Sequence, residues 1–178
     1  MTTAFLALGS NEGDRMRHLR RALRGLSDRG VEVRRVSPVY QTEAHTLTPE
    51  EKQPDYFNAV AEVRITATPH DLLHLAKSLE KAEGRDLSAS RWSPRPLDID
   101  LLTVGSLVLN TSDLTLPHPR CAERRFVLCP WADVSPNLVV PSPFDDTVSG
   151  LLRRCTDAGR AVRLDHPPLS CPSLAGES

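Results

Sequence analysis

Two helical patterns set among strand-type patterns predict an α+β chain, and three observations carry that expectation. Residues 3–9 form a short apolar run closed by Gly9, and residues 56–66 alternate, with Tyr56, Asn58, Val60 and Glu62 on one side and Phe57, Ala59, Ala61, Val63 and Ile65 on the other. Met16, Leu19, Leu23 and Leu26 recur at helical spacing, and Leu72, Leu73, Leu75, Ala76 and Leu79 do so again further along. Acids alternate with aliphatic residues across Leu97–Val104. With a strand at 31–41, the order is β-α-β-β-α-β. That order predicts a ferredoxin-like sandwich: an antiparallel sheet, helices on one face, and additional C-terminal elements.

Each element has a local reason. Asp14 or Asn11 can cap the first helix, and Gly30 stops it. Pro38 marks the 31–41 strand as an edge or a bulge. Residues 42–54 read as a long loop. Thr68-Pro69-His70-Asp71 is a helix start, with Thr as cap, Pro in the first turn and an acid at the third position, and Gly84 ends that helix. Arg85–Pro96 is a basic loop. Short extended pieces are expected at Val108 and Leu114–Leu116, a short helical or irregular segment beginning over Phe126–Trp131 and a last helix over Val148–Ala158. We expect a single domain over 1–164 and a disordered Pro- and Ser-rich tail over 165–178.

Composition narrows the function classes. The 178 residues carry a formal net charge of −1, which argues against a general nucleic-acid coat. Apolar runs fall far short of the ~20 residues that span a bilayer. Four cysteines at 121, 129, 155 and 171 form no C-x-x-C pair, so neither a zinc site nor a redox dithiol is expected. The first residues read as a buried strand rather than a signal peptide, so a cytoplasmic protein is expected. The basic residues comprise 19 Arg and only three Lys. Nucleotide composition explains most of that excess, but the guanidinium is also the better fork for phosphate.

The strongest chemical signal is Leu97-Asp98-Ile99-Asp100-Leu101-Leu102. In a strand, residues i and i+2 share a face, so Asp98 and Asp100 project together. At ~6 Å and an effective dielectric of ~20 they repel by about 3 kcal/mol, which solvent, arginine or a metal must offset. An exposed strand face screened by water fits the pair alone. The preceding loop shifts the balance, because Arg85, Arg91 and Arg95 arrive just before the acids, with Trp92 among them. Acids beside arginines suit Mg²⁺ and polyphosphate, unless the arginines simply pair with the acids. No P-loop or kinase glycine loop is present. His70 and His74 approach a zinc-protease motif, but His70 belongs to a helix start and reads as structural. His118, held between Pro117 and Pro119, becomes a candidate phosphate ligand together with Arg124. Tyr56 and Phe126 could stack on a flat ring, and Asn58, on the same face as Tyr56, could bond its edge.

Together these pieces resemble the 6-hydroxymethyl-7,8-dihydropterin pyrophosphokinase family of folate biosynthesis. The matching segments are Ala7-Leu8-Gly9-Ser10-Asn11, Gln53-Pro54-Asp55-Tyr56-Phe57-Asn58, Glu80 through Gly84-Arg85, Arg91-Trp92-Ser93-Pro94-Arg95-Pro96-Leu97-Asp98-Ile99-Asp100, and Leu116-Pro117-His118-Pro119-Arg120 with Arg124 and Phe126. Leu87, Ser93 and Lys77 depart from the pattern of some relatives. The resemblance implies transfer of diphosphate from ATP to the pterin hydroxymethyl oxygen, with release of AMP. It implies that Asp98 and Asp100 hold two Mg²⁺ ions and that Arg85 and Arg95 contact phosphates during transfer. His118 and Arg124 would bind ATP phosphates, and Arg91 and Trp92 would help assemble a closed loop. Tyr56 and Phe126 would sandwich the pterin, with Asn58 on its edge and Glu80 shaping the pocket. A monomer without nucleic-acid or membrane partners is expected. The rival expectation is a ferredoxin-like nucleotide- or RNA-binding module without catalysis. Such a sheet should display adjacent aromatics and a basic face, whereas two acids occupy one strand here.

Overall fold

The computed structural model describes residues 1–44, 53–84, 93–165 and 169–171. Five strands carry the main sheet in the order β10-β3-β4-β1-β5: β1 (Thr2–Ser10), β3 (Tyr40–Thr42), β4 (Tyr56–Ile65), β5 (Asp98–Val104) and β10 (Ala161–Arg163). A sixth, β2 (Glu32–Val36), pairs with β4 off that path. Every pairing in the sheet is antiparallel. Helices α1 (Arg15–Ser27) and α2 (Pro69–Ala82) follow β1 and β4. Beyond β5 come the short pairs β6 (Leu109–Asn110) with β7 (Thr115–Leu116) and β8 (Val139–Val140) with β9 (Asp146–Thr147). Among them lie helices α3 (Arg125–Val134) and α4 (Val148–Arg154).

The caps form as the local sequence dictates. Asp14 accepts the Arg17 N–H at 3.0 Å to start α1. Thr68 and Asp71 form a reciprocal capping box at the start of α2, with Pro69 in its first turn. The stretch expected as one strand over 31–41 is broken at Ser37-Pro38. Proline has no N–H for the ladder, so Ser37 takes over there: its N–H donates to Val60 O, and its Oγ accepts the Val60 N–H, both at 2.9 Å. β2 therefore lies along the second half of β4 and β3 along its first half.

The two helices of the βαββαβ unit lie on one face of the sheet as expected, and the correction concerns α3 and α4, which lie on the other. One face of the sheet, through Leu6, Leu8, Ala61, Val63 and Ile99, packs on Leu19, Leu23 and Leu26 of α1 and Leu72, Ala76 and Leu79 of α2. The other face presents Phe5, Val60 and Leu102 to Leu128 and Trp131 of α3 and to Val148 and Leu151 of α4. Phe5 and Trp131 meet with ring centroids 5.8 Å apart. Two core-facing sets alternate along the central strands, and this explains why β1 and β4 carry runs of consecutive buried residues. The elements after β5, which local pattern leaves as short pieces, therefore complete a second core layer.

The C-terminal stretch joins both the sheet and the core. β10 adds an edge strand to β3, and the Leu164 N–H donates to Val39 O at 2.8 Å. Leu169, inside the expected disordered tail, is buried against the α1/α2 core. Among the described residues no helix is long and apolar enough to cross a membrane.

Candidate functional site

α3 and α4 cover only part of their face of the sheet. The uncovered part is a cleft of about 570 Å³ whose floor is a row of residues set by register. Tyr40 lies opposite Asn58, Asn58 opposite Gly9, and Gly9 opposite Asp98. One pair further along, Val60 lies opposite Ala7 and Ala7 opposite Asp100. The pleat thus brings Asn58, Gly9, Asp98 and Asp100 to the same face, as the i/i+2 spacing predicts. Gly9 lines the cleft without a side chain and lets its neighbours approach the backbone closely, since a Cβ on it would stand 3.0 Å from Asn58 Oδ1 and 3.7 Å from Tyr56 Cδ1.

The acids are held by cations. Asp98 Oδ1 is 3.4 Å from Arg95 Nη1, and Asp100 Oδ2 is 3.4 Å from Arg124 Nη1. His118 Nε2 lies 3.8 Å from Asp100 Oδ2. These separations exceed the 2.7–2.9 Å of a tight charge-assisted bond, so the pairs neutralise one another without locking. Both carboxylates remain partly exposed, at 26% and 30%. The open alternative, that arginines simply pair with the acids, thus describes this state, and it leaves groups that a metal and phosphates can exchange into.

Arg95 is anchored through its backbone. Its N–H donates to Asn11 Oδ1 at 2.8 Å, and the Asn11 N–H donates to Arg95 O at 3.2 Å. Asn11 is fully buried, so it neither caps α1 nor faces a ligand; it ties the entry to β5 onto the end of β1. His118 is set by its own N–H, which donates to Leu102 O at 2.8 Å. Its Nδ1 accepts the Arg120 N–H at 3.1 Å, which leaves the proton of the neutral ring on Nε2, toward Asp100. Burial first, and then Arg124 and Arg120, pushes the His118 pKa below its ordinary value against the opposing pull of Asp100.

Tyr56, Asn58 and Phe126 all line the cleft, together with Arg95, Asp98, Asp100 and Arg124. Asn58 Nδ2 donates to Thr42 Oγ1 at 2.7 Å, which fixes the amide in its plane. The Arg124 guanidinium sits 5.7 Å from the Phe126 ring centroid. Arg85, Arg91 and Trp92 lie outside the described residues. Glu80 is fully buried, and its Oε1 accepts the Ile99 N–H at 2.8 Å and lies 3.1 Å from Lys77 Nζ. It thus braces the backbone of β5, the end strand of the sheet.

Sequence reasoning missed several lining residues: Thr42, Glu43, Glu123, Thr156 and Asp157. Gly9 and Asn11 stood in a recognised segment, but only strand pairing shows what they do. Nothing local distinguishes Thr156 or Asp157. His70 stays at the surface, 3.5 Å from Asp113, as the structural reading of that motif expects. Cys121 is buried, and burial pushes its thiol up to about 12, so it is inert.

Among the described residues no three His, Cys, Asp or Glu side chains gather to hold a metal ion. Two carboxylates on one strand face nevertheless suit Mg²⁺, which takes one or two carboxylates and completes its shell with phosphate oxygens and water.

The sequence pattern of 7,8-dihydro-6-hydroxymethylpterin-pyrophosphokinase matches residues 5–136. The chain belongs to that family. A Bacillus subtilis 2-amino-4-hydroxy-6-hydroxymethyldihydropteridine pyrophosphokinase is 38% identical over 132 residues, covering 74% of this chain and 77% of the relative. The Aquifex aeolicus protein of the same name is 34% identical over 141 residues, covering 79% and 85%. An Arabidopsis thaliana folate synthesis bifunctional protein is 41% identical over 137 residues, covering 75% of this chain but only 28% of the relative. The chain thus spans about a quarter of the length of such plant bifunctional relatives. A crystal structure of HPPK-DHPS in complex with substrates shares the fold, with a TM-score of 0.65 at 12% identity, over 86% of this chain and 43% of that one.

Proposed function

We propose that this chain transfers the β,γ-diphosphate of ATP to 6-hydroxymethyl-7,8-dihydropterin. The pterin hydroxymethyl oxygen bonds to the β-phosphorus and gives up its proton, the bridge between the α- and β-phosphorus atoms breaks, and AMP leaves with the bridging oxygen. The observation that carries this reading is the cleft floor. It sets Tyr56, Asn58, Gly9, Asp98 and Asp100 on one face of one sheet, and Arg95 and Arg124 line the cleft beside them.

The pterin ring is assigned to the part of the cleft over Gly9, between Tyr56 and Phe126, with the Asn58 amide on its edge. Thr42 orients that amide. Arg95 and Arg124 exchange their carboxylates for phosphate oxygens, and His118 supports Asp100 and the phosphates from behind. Two Mg²⁺ ions on Asp98 and Asp100 would neutralise phosphate charge and lower the pKa of the pterin hydroxyl. Arg85, Arg91 and Trp92 are assigned to phosphates and to loop assembly by family likeness. Protein groups do no covalent work in this scheme, which suits phosphoryl transfer, where positioning and charge stabilisation dominate.

The same reading takes residues 1–164 as one domain with a ferredoxin-like βαββαβ core, which the strand order supports, and 165–178 as a tail anchored at Leu169. It takes the protein as a cytoplasmic monomer acting on small molecules. The deciding experiment incubates the protein with ATP, Mg²⁺ and 6-hydroxymethyl-7,8-dihydropterin. AMP is the expected product; ADP would make it an ordinary kinase, and no turnover with retained ligand binding would make it a binding module.

A further inference from the structure

The cleft has a wall that the family match does not reach. The match ends at residue 136, yet Thr156 and Asp157 line the cleft beside Thr42, Glu43 and Phe126. This segment leaves the end of α4 and runs into β10, whose pairing with β3 ties it to the strand that carries Thr42.

α3 begins at Arg125 with Arg124 in the cap position, and no capping bond comes from the Arg124 side chain. None could, since a guanidinium only donates and this one is turned toward Asp100. The orphan N–H of Arg125 is satisfied from 32 residues downstream, where Asp157 Oδ2 accepts it at 2.9 Å. The other carboxylate oxygen accepts the Gly159 N–H at 2.8 Å, so the group is braced on both sides. A carboxylate in this place also suits the positive end of the helix dipole. Two of the cleft-lining residues, Arg124 and Phe126, flank the capped N–H.

We propose that Asp157 is a positioning residue: by capping α3 from the C-terminal segment, it sets where Phe126 and Arg124 enter the cleft. The inference rests on the diphosphokinase reading, which gives those two side chains their ligands. Asp157→Ala should raise the pterin KM, through Phe126, and the ATP KM, through Arg124, each by roughly 3- to 10-fold, with kcat within about twofold. Asp157→Asn keeps an oxygen acceptor and should return both KM values to within about twofold of wild type. A merely structural role would lower Tm in Asp157→Ala without this KM-against-kcat split. A wild-type pterin or ATP KM in Asp157→Ala, or equal impairment in Asp157→Asn, would overturn the proposal. Should Asp157→Ala fail to fold, Asp157→Gln, whose longer arm carries the oxygen off the Arg125 N–H, is read the same way. A wild-type protein that releases no AMP would instead remove the diphosphokinase reading. The same variants would then be titrated with fluorescent 6-hydroxymethylpterin, and equal affinity in wild type and Asp157→Ala would count against Asp157.

Discussion

Gly9→Ala tests the floor of the cleft with one methyl group. Gly9 lies between Asn58 and Asp98 in the sheet, and a Cβ there would stand 3.0 Å from Asn58 Oδ1 and 3.7 Å from Tyr56 Cδ1. The first separation is tighter than ordinary carbon–oxygen contact, so the Asn58 amide must shift against its bond to Thr42. The methyl also rises ~1.5 Å from the backbone and lifts any flat ring laid over it. Loss of one aromatic stack forfeits ~0.5–1.5 kcal/mol, and loss of the amide bond to the ring a further ~0.5–1.5 kcal/mol. A total of about 1–3 kcal/mol corresponds to a pterin KM raised roughly 5- to 150-fold. The neighbouring strand still presents Asp98 and Asp100, so kcat should fall by less than about threefold. Steady-state AMP release against pterin concentration, at saturating ATP and Mg²⁺, reads both constants, and a thermal melt checks the fold. A folded Gly9→Ala protein with an unchanged pterin KM, or with only its ATP KM raised, would refute the placement of the ring over Gly9.

Three further outcomes follow from the same geometry. Asp98→Ala and Asp100→Ala should each cut kcat by at least about 10³-fold, because charge stabilisation carries this chemistry, while Tm stays near wild type since Ile99 and Leu101 still hold β5; near-normal turnover in either would sink the metal assignment. His118 has a pKa lowered by burial, so the folded protein binds its proton less readily than the unfolded chain. Stability is then complete above the unfolded value of ~6.5 and is lost as pH falls through the folded pKa; Tm between pH 7.5 and 5 should drop more steeply in wild type than in His118→Gln, and parallel profiles would count against it. Glu80→Ala leaves the Ile99 N–H unpaired and opens a buried void, so urea denaturation should show a loss of about 2–4 kcal/mol, and a change below ~0.5 kcal/mol would mean that Glu80 does not brace β5.

Much of the site was written in short-range pattern. Asp98 and Asp100 share a face because strand side chains alternate, and alternation needs no tertiary information. The capping box at Thr68 follows from hydrogen-bonding inventory alone. The partner of Glu80 was not legible in the same way. Helical spacing puts it near the end of α2, but its bond to the Ile99 N–H depends on how α2 lies against β5.

By itself, then, the sequence determined the central strands and the first two helices, the nearness of acids and arginines along the chain and the family, because each is encoded in spacing over a few residues or in an ordered set of such spacings. The tertiary structure decided what lies between them. It put α3 and α4 on the second face of the sheet, so that the part they leave uncovered becomes the cleft. It set Gly9 between Asn58 and Asp98, clamped Arg95 with the buried Asn11, and brought Asp157 back to the start of α3. The partners in these contacts lie on strands or helices distant in sequence, and only strand register and the packing of the two cores bring them within reach.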